Sequence, residues 1–552
     1  MFVFQNRPAA ARLLVVLLCG MCSVSANSAG IPEPTAAAIR LMQPSERGNE
    51  SLIQSLKKGR NLKGMDLRAF RGTLMRLNHA VGPIVPTRRN PVVPGKNNLV
   101  DAIISLETQF NQNLPASEIV ALPAVADFPG NVPRGSKPVS RTIPIDGGFK
   151  GWDIGRPFGG PLSAEQRPTG LYAAPGTPIR ISVPDEMVGK GYTVTIGSYG
   201  GGLRNRDKWF RYPRIQRKVA LDSKTVHAAN GFGGIVTIGV PSSAAKMVGK
   251  TFNVGISGAI EAPLYIHGVT DLKLWQTRIR KLPAPYAELV SERMIITLPS
   301  EYIRDLDRPD QVMDLWNQMV EKCAELACID INEYRAARIT FERQIANGGL
   351  HSGYPIGAHI GKNAEEAVDV ESLRKTGNWG FLHEFGHNHQ HRPWLLPNTT
   401  ETTCNLWSVY VSEELFGVSR NDAHREGNRK AREDRMVDYF KRGAPFKEEW
   451  AGWTALESYL QIQESFGWEV YKKVFTEYNA YPQGKGPKVD QARYDEWVRK
   501  MSRACGVNLV PFYQTWGMPI SPSVAGELQT LPEWKQDPVA RFRGLNEVRT
   551  SL

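Results

Sequence analysis

Hydrophobic positions change their period twice along this chain. Between residues 50 and 80, in ESLIQSLKKGRNLKGMDLRAFRGTLMRLNHA, Leu, Ile and Met recur at helical spacing with basic residues between them. The Pro-rich run VGPIVPTRRNPVVPGKNN interrupts that pattern, and one more amphipathic helix is predicted over 99–111. From about 142 to 268 the period shortens. The runs TPIRISVP, YTVTIGSY, GIVTIGVP and APLYIHGV alternate or are β-branched, and Gly, Pro, Asn or Asp separate them. That pattern predicts an antiparallel sandwich or barrel. From about 284 helical spacing returns in DQVMDLWNQMVEKCAEL, ESYLQIQESFGWEVYKKVFTEY and YDEWVRKMSRACG, with apolar residues at i, i+3, i+4 and i+7. After Met518 the chain again reads as Pro-rich and irregular. No internal repeat is visible.

The expected fold class is α+β, a β-sandwich-like N-terminal module packed against a mainly α-helical domain. The expected divisions are a signal peptide at 1–26, a helical appendage with its Pro-rich linker at 27–140, and a β-rich module at 141–268. A helical domain follows at 269–525, then a tail at 526–552.

Composition narrows the class. The 552 residues are too many for one hydrophobic core. With 41% hydrophobic and 22% charged residues the chain is neither disordered nor collagen-like. Its formal charge of +13 is diffuse: no Lys/Arg block, RNA-binding signature or zinc-finger spacing accompanies it, so no nucleic-acid partner is expected. Arg7 and Arg12 precede the apolar run LLVVLLCGMC, and Val24, Ser25 and Ala26 follow it, which is the layout of a secretory signal peptide. Export to the periplasm or beyond the cell is therefore expected. No segment reaches the ~18 uninterrupted apolar residues a membrane span needs. Beyond the signal region four cysteines remain, Cys323, Cys328, Cys404 and Cys505. Four allow three pairings; a Cys404–Cys505 bridge is the favoured one, against four buried free thiols. Nothing in the pattern specifies an oligomeric state.

The chemistry concentrates in one place. Six of the ten histidines fall between His351 and His391, and among them stands His383-Glu384-Phe385-Gly386-His387. Two His at i and i+4 project from one helix face and can share a metal, and the Glu beside the first reaches a water on that metal. This is the H-E-x-x-H arrangement of zinc hydrolases; its bland reading is a helix with two satisfied surface histidines. Catalytic zinc takes a third protein ligand. His389 and His391 would have to fold back from the helix end. Glu401 is the better candidate, in the first turn of a helix predicted for TETTCNLWSVYVSEELF after the capping residues Asn398, Thr399 and Thr400. Asn405, one turn on, would hold a ligand His in position. Glu413 and Glu414 lie about three turns along the same helix. His351 and Tyr354 in HSGYP either line the cleft or pack a turn, and Trp379 either stacks on a sugar or fills core.

The stretch Gly377-Asn378-Trp379-Gly380-Phe381-Leu382, then HEFGHNHQ, then ETTCN, resembles the M60-like (enhancin) family of zinc metallopeptidases. RPTGLYAAPGTPI, LHSGYPIGAHI, ESFGWEVYKKVF and CGVNLVPFYQTWGMPIS extend the resemblance, in order, over roughly 140–525. It implies a zincin-type catalytic domain at 269–525 with one Zn2+ per chain on His383, His387 and Glu401, and Glu384 as general base. It also implies a mucin-like glycoprotein substrate. The other class of function open to the chain is a secreted glycan-binding or adhesin-like protein with a vestigial metal site.

Overall fold

A computed structural model describes residues 84–96, 98–127, 130–149, 164–482 and 484–543. The expected signal peptide and the helical spacing at 50–80 lie outside the described residues. The helix predicted over 99–111 is present as α1 (Asn98–Asn113).

The β-rich stretch forms eight strands: β1 (Val139–Asp146), β2 (Ala164–Ala173), β3 (Ile179–Ser182), β4 (Thr193–Ile196), β5 (Arg217–Ala220), β6 (Thr225–Ala228), β7 (Gly234–Pro241) and β8 (Thr251–Glu261). They pair antiparallel in the order β5-β4-β7-β2-β8-β3-β6, with β1 on β8. Alternation sets the faces: Ile179 and Ile181 of β3 point inward, and Arg180 between them is exposed. Strands from both ends of the sheet, including Val194, Ile238, Ile181 and Ile256, fill a single apolar core, as in a sandwich.

A second, six-stranded mixed sheet follows, in the order β13-β14-β12-β11-β10-β9. Its strands are β9 (Leu264–Ile266), β10 (Tyr286–Val290), β11 (Met294–Pro299), β12 (Ala337–Glu342), β13 (Leu350–His351) and β14 (Ile356–His359). The sequence reading, dominated by helix beyond 284, did not resolve this sheet. The physical reason is burial: β11 is buried at every position and β10 and β12 at all but one, so none alternates. Within the β-rich stretch, APLYIHGV supplies β9 and so joins this second sheet.

Helices accompany the second sheet: α2 (Pro309–Ala327), α3 (Trp379–His389), α4 (Thr400–Thr403), α5 (Asn405–Glu414), α6 (Arg429–Lys441), α7 (Gly452–Phe466), α8 (Glu469–Asn479) and α9 (Asp490–Cys505). Of these, α2 and α3 pack on the sheet, and the later ones pack on these and on one another. The run ESYLQIQESFGWEVYKKVFTEY divides into α7 and α8 at Gly467, whose φ of +78° suits glycine. Phe381 and Phe385 seat α3 on Trp316 of α2, with ring centroids 5.3 and 6.2 Å apart. Past Met518 the chain is less irregular than its Pro content suggests. It makes a short helix over Pro522–Leu528, and Trp534, Val539 and Phe542 are buried in the main core.

No disulfide joins the four cysteines. The favoured Cys404–Cys505 bridge is therefore a correction: Cys404 is buried against His383, and Cys505 ends α9.

Candidate metal centre

Helix α3 starts where Asn378 accepts the Phe381 amide (3.2 Å), and it runs through both histidines to His389. The i, i+4 spacing puts His383 and His387 on one face; Phe381 and Phe385 point the other way, into core. Gly386 lets this helix lie against the next segment, since a Cβ there would overlap the carbonyl of Cys404. That close approach brings Glu401, on α4, across to the two imidazoles.

Three atoms converge. His383 Nε2 and His387 Nε2 are 3.1 Å apart, and Glu401 Oε2 stands 3.2 Å from the first and 3.4 Å from the second. Tetrahedral donors about 2.0–2.1 Å from one zinc are themselves about 3.3–3.4 Å apart. The triangle has that size, and its donor set of two imidazoles and a carboxylate is the one catalytic zinc takes. The residues fit the metal.

The electrostatics agree. Burial opposes a charge on either imidazole, yet the Cys404 sulfur and the Glu401 carboxylate outweigh it and hold both well above the usual histidine range. Hydrogen bonds from His383 and His387 hold Glu401 far below the usual carboxylate range. This pocket stabilises positive charge, which a divalent cation supplies.

Each ligand is oriented from behind. Asn405 Oδ1 accepts from His383 Nδ1 (2.8 Å), as the position of Asn405 on the helix predicted, and Gln390 Oε1 lies 3.0 Å from His387 Nδ1. Both contacts favour the tautomer that leaves Nε2 free to bind a metal. Gln390 in turn donates to Thr400 O and Thr403 Oγ1, at 2.6 and 2.8 Å. Sequence reasoning missed Gln390, although it stands three residues after His387, within reach around a helix end.

Cys404 was missed as well. Its sulfur lies with the three donors inside a 4.8 Å group. It lies 3.5 and 3.7 Å from His383 Nδ1 and Nε2 and also bonds His387, so it stands with the other three as a fourth candidate donor.

Glu384 is buried beside the triangle. Burial raises its carboxyl above the usual range, the imidazoles and the Ser352 amide pull it down, and Glu401 pushes it up. The Ser352 amide comes from the loop after β13. Asn388 of α3 pins that loop by donating to Gly353 O (3.1 Å) and accepting from Gly353 N (2.8 Å).

The remaining candidates sit elsewhere. His389 stacks on Trp407 and bonds Phe385 O (2.7 Å), and His391 is buried; neither joins the triangle. Glu413 pairs with Arg420 (2.7 Å) and Glu414 is exposed. His351 bonds Tyr199 Oη (2.5 Å), and Tyr354 packs under the Arg335 guanidinium with its hydroxyl 3.5 Å from the Gln166 amide, so both join the second sheet to the β-rich module. Trp379 stacks on Trp453, with centroids 5.5 Å apart.

A fold of this kind with a helix-borne H-E-x-x-H and a following Glu defines a class. Residues 258–517 match the family of Peptidase M60, enhancin and enhancin-like, and 163–257 match the N-terminal domain of M60-like peptidases; the chain belongs to this family. A TRPM8 channel-associated factor homolog of Xenopus laevis is 38% identical over 377 residues, which are 68% of this chain and 41% of that protein. The chain thus spans about two-fifths of the length of the curated relatives it matches. Among solved structures, IMPa of Pseudomonas aeruginosa in complex with an O-glycopeptide superposes with a TM-score of 0.55 at 15% identity, over 91% of this chain and 63% of that one. The M60 catalytic domain of Clostridium perfringens ZmpC, in complex with the sialyl T antigen, gives 0.53 at 16%, over 72% and 80%. At such identities the likeness is one of fold.

Proposed function

We propose that this protein is an exported, zinc-dependent endopeptidase that cleaves mucin-type O-glycosylated proteins. The observation that carries the reading is the triangle of His383 Nε2, His387 Nε2 and Glu401 Oε2 with the Glu384 carboxylate beside it. When bound, zinc supplies Lewis acidity toward a scissile carbonyl and makes a water acidic enough to lose a proton near neutral pH. His383, His387 and Glu401 would hold it there. Glu384 takes the proton from the water and returns it to the leaving amine. Its burial raises its proton affinity above that of an ordinary carboxylate, which suits a group that must both accept and donate.

Two structural neighbours were solved with an O-glycopeptide and a sialylated glycan, which supports a glycoprotein substrate. The net positive charge favours approach to sialylated or sulfated chains, an attraction that weakens with salt. The N-terminal basic and apolar run supports export. The test is one synthetic peptide made with and without GalNAc on a Ser or Thr, each incubated with and without chelator and read by mass spectrometry. Chelator-sensitive cleavage beside the glycosylated residue, with the bare peptide cut poorly, is expected. Equal cleavage of both removes the glycan from recognition, and no cleavage of either favours a binding protein. The names of the curated relatives, which associate them with a channel, make that second reading the one to test against.

A further inference from the structure

An asparagine that orients a metal-ligand histidine has a weakness. Its amide can turn over, and the NH2 group would then face His383 Nδ1. The ring would have to accept at Nδ1 and carry its proton on Nε2, where it cannot bind a metal. Something must hold Asn405 with its oxygen toward the ring.

Three contacts surround that amide. Its Oδ1 receives His383 Nδ1 at 2.8 Å, its Nδ2 donates to Glu401 O at 3.0 Å, and the indole Nε1 of Trp379 donates to the same Oδ1 at 2.9 Å. An indole N–H only donates, so it accepts no partner but the oxygen. Trp379 is itself held. It opens α3, its carbonyl accepts from Ser408 Oγ (3.3 Å), and its ring stacks on Trp453 with His424 5.1 Å away.

We propose that Trp379 is a positioning residue for the candidate metal site, acting through Asn405: its indole N–H on Oδ1, together with the Glu401 carbonyl on Nδ2, fixes the amide orientation and thereby the His383 tautomer that presents a lone pair on Nε2. The inference rests on His383 being a metal ligand. It assigns Trp379 a role unlike either expectation for this residue, a sugar platform or inert core.

The test is a double-mutant cycle read as zinc affinity, by competition with a chromogenic chelator at fixed pH. Trp379→Phe keeps an aromatic ring for Trp453 and removes the donor. In the Asn405 background it is expected to weaken zinc binding about tenfold, the scale of supporting contacts around metal ligands. In the Asn405→Asp background both carboxylate oxygens accept, orientation no longer matters, and the same Trp379→Phe change is expected to alter affinity less than about twofold. An equal loss in both backgrounds overturns the proposal, because the ring's packing then explains it. So does an unchanged affinity for Trp379→Phe alone. If the wild-type protein binds zinc and His383→Ala binds it as well, the metal-ligand reading itself has failed, a result distinct from either.

Discussion

Two of the charged groups in this domain are built in opposite ways. At the contact with the β-rich module, Arg338 of β12 and Glu288 of β10, each with its side chain 1% exposed, form an ion pair. Thr297 donates to Glu288 Oε1 (3.0 Å), and Arg338 reaches Gln166 O (3.2 Å) on β2. Charge is cancelled where it lies. At the candidate metal site the His383 side chain is 21% exposed and that of Glu401 69%, and His383 Nε2 lies 3.2 Å from Glu401 Oε2. The Arg338–Glu288 pair cancels its own charge, although Glu288 Oε2 and Arg338 Nε make no hydrogen bond; the histidine–glutamate cluster has the donor set that would hold a cation. Burial alone does not separate the two, since His387 is only 6% exposed. Convergence does.

The contrast can be broken at either end. The largest expected effect is at the cluster: His387→Ala, or Glu401→Ala, is expected to take bound zinc from about one per chain to near none, read by elemental analysis after dialysis. Acid should act in the same direction. Both imidazoles hold their protons strongly without metal, so lowering the pH favours the protonated form and zinc retention should fall. Retention of full zinc in Glu401→Ala would move the third ligand elsewhere.

At the structural pair, Glu288→Ala or Arg338→Ala alone is expected to cost about 3–5 kcal/mol in denaturant unfolding, because a buried charge loses its partner. An apolar replacement of both should cost less than either single change. Single losses below about 1 kcal/mol would mean that the pair is solvated.

Gly386→Ala comes next. A methyl group there meets the Cys404 carbonyl, so the helix bearing the histidines must move from the one bearing Glu401; about 1–3 kcal/mol of stability and a measurable loss of zinc affinity are expected. Gly526→Ala, in the helix over Pro522–Leu528 with nothing near its Cβ, is the control and should be neutral or gain up to about 1 kcal/mol. Smallest is the exposed pair Lys430–Asp434 (2.5 Å) on α6, where Lys430→Ala should leave the unfolding midpoint unchanged within error.

Much of the metal centre was legible in the sequence because helix geometry is local. The i, i+4 histidines follow from spacing within one helix; Glu401 and Asn405 keep their expected four-residue separation although the predicted helix divides at Cys404 into α4 and α5. What joins separate elements was less legible. The second sheet is buried on both faces and loses the alternation that marks a strand. Cys404 looked like half of a disulfide because pairing depends on tertiary distance, and its actual neighbour is the His383 ring. Gln390 and the Trp379–Asn405 contact depend on how α3 ends and on what crosses it, which spacing does not encode.

The central claim is that Glu384 does the proton chemistry while three other side chains hold the metal. Glu384→Gln separates these roles, since it keeps size and polarity and cannot act as a base. Turnover and zinc content should be measured on the same preparation. The account predicts about one zinc per chain with turnover reduced about 10²–10⁴-fold. Near-normal turnover in that variant, in an assay that chelator abolishes, would contradict it.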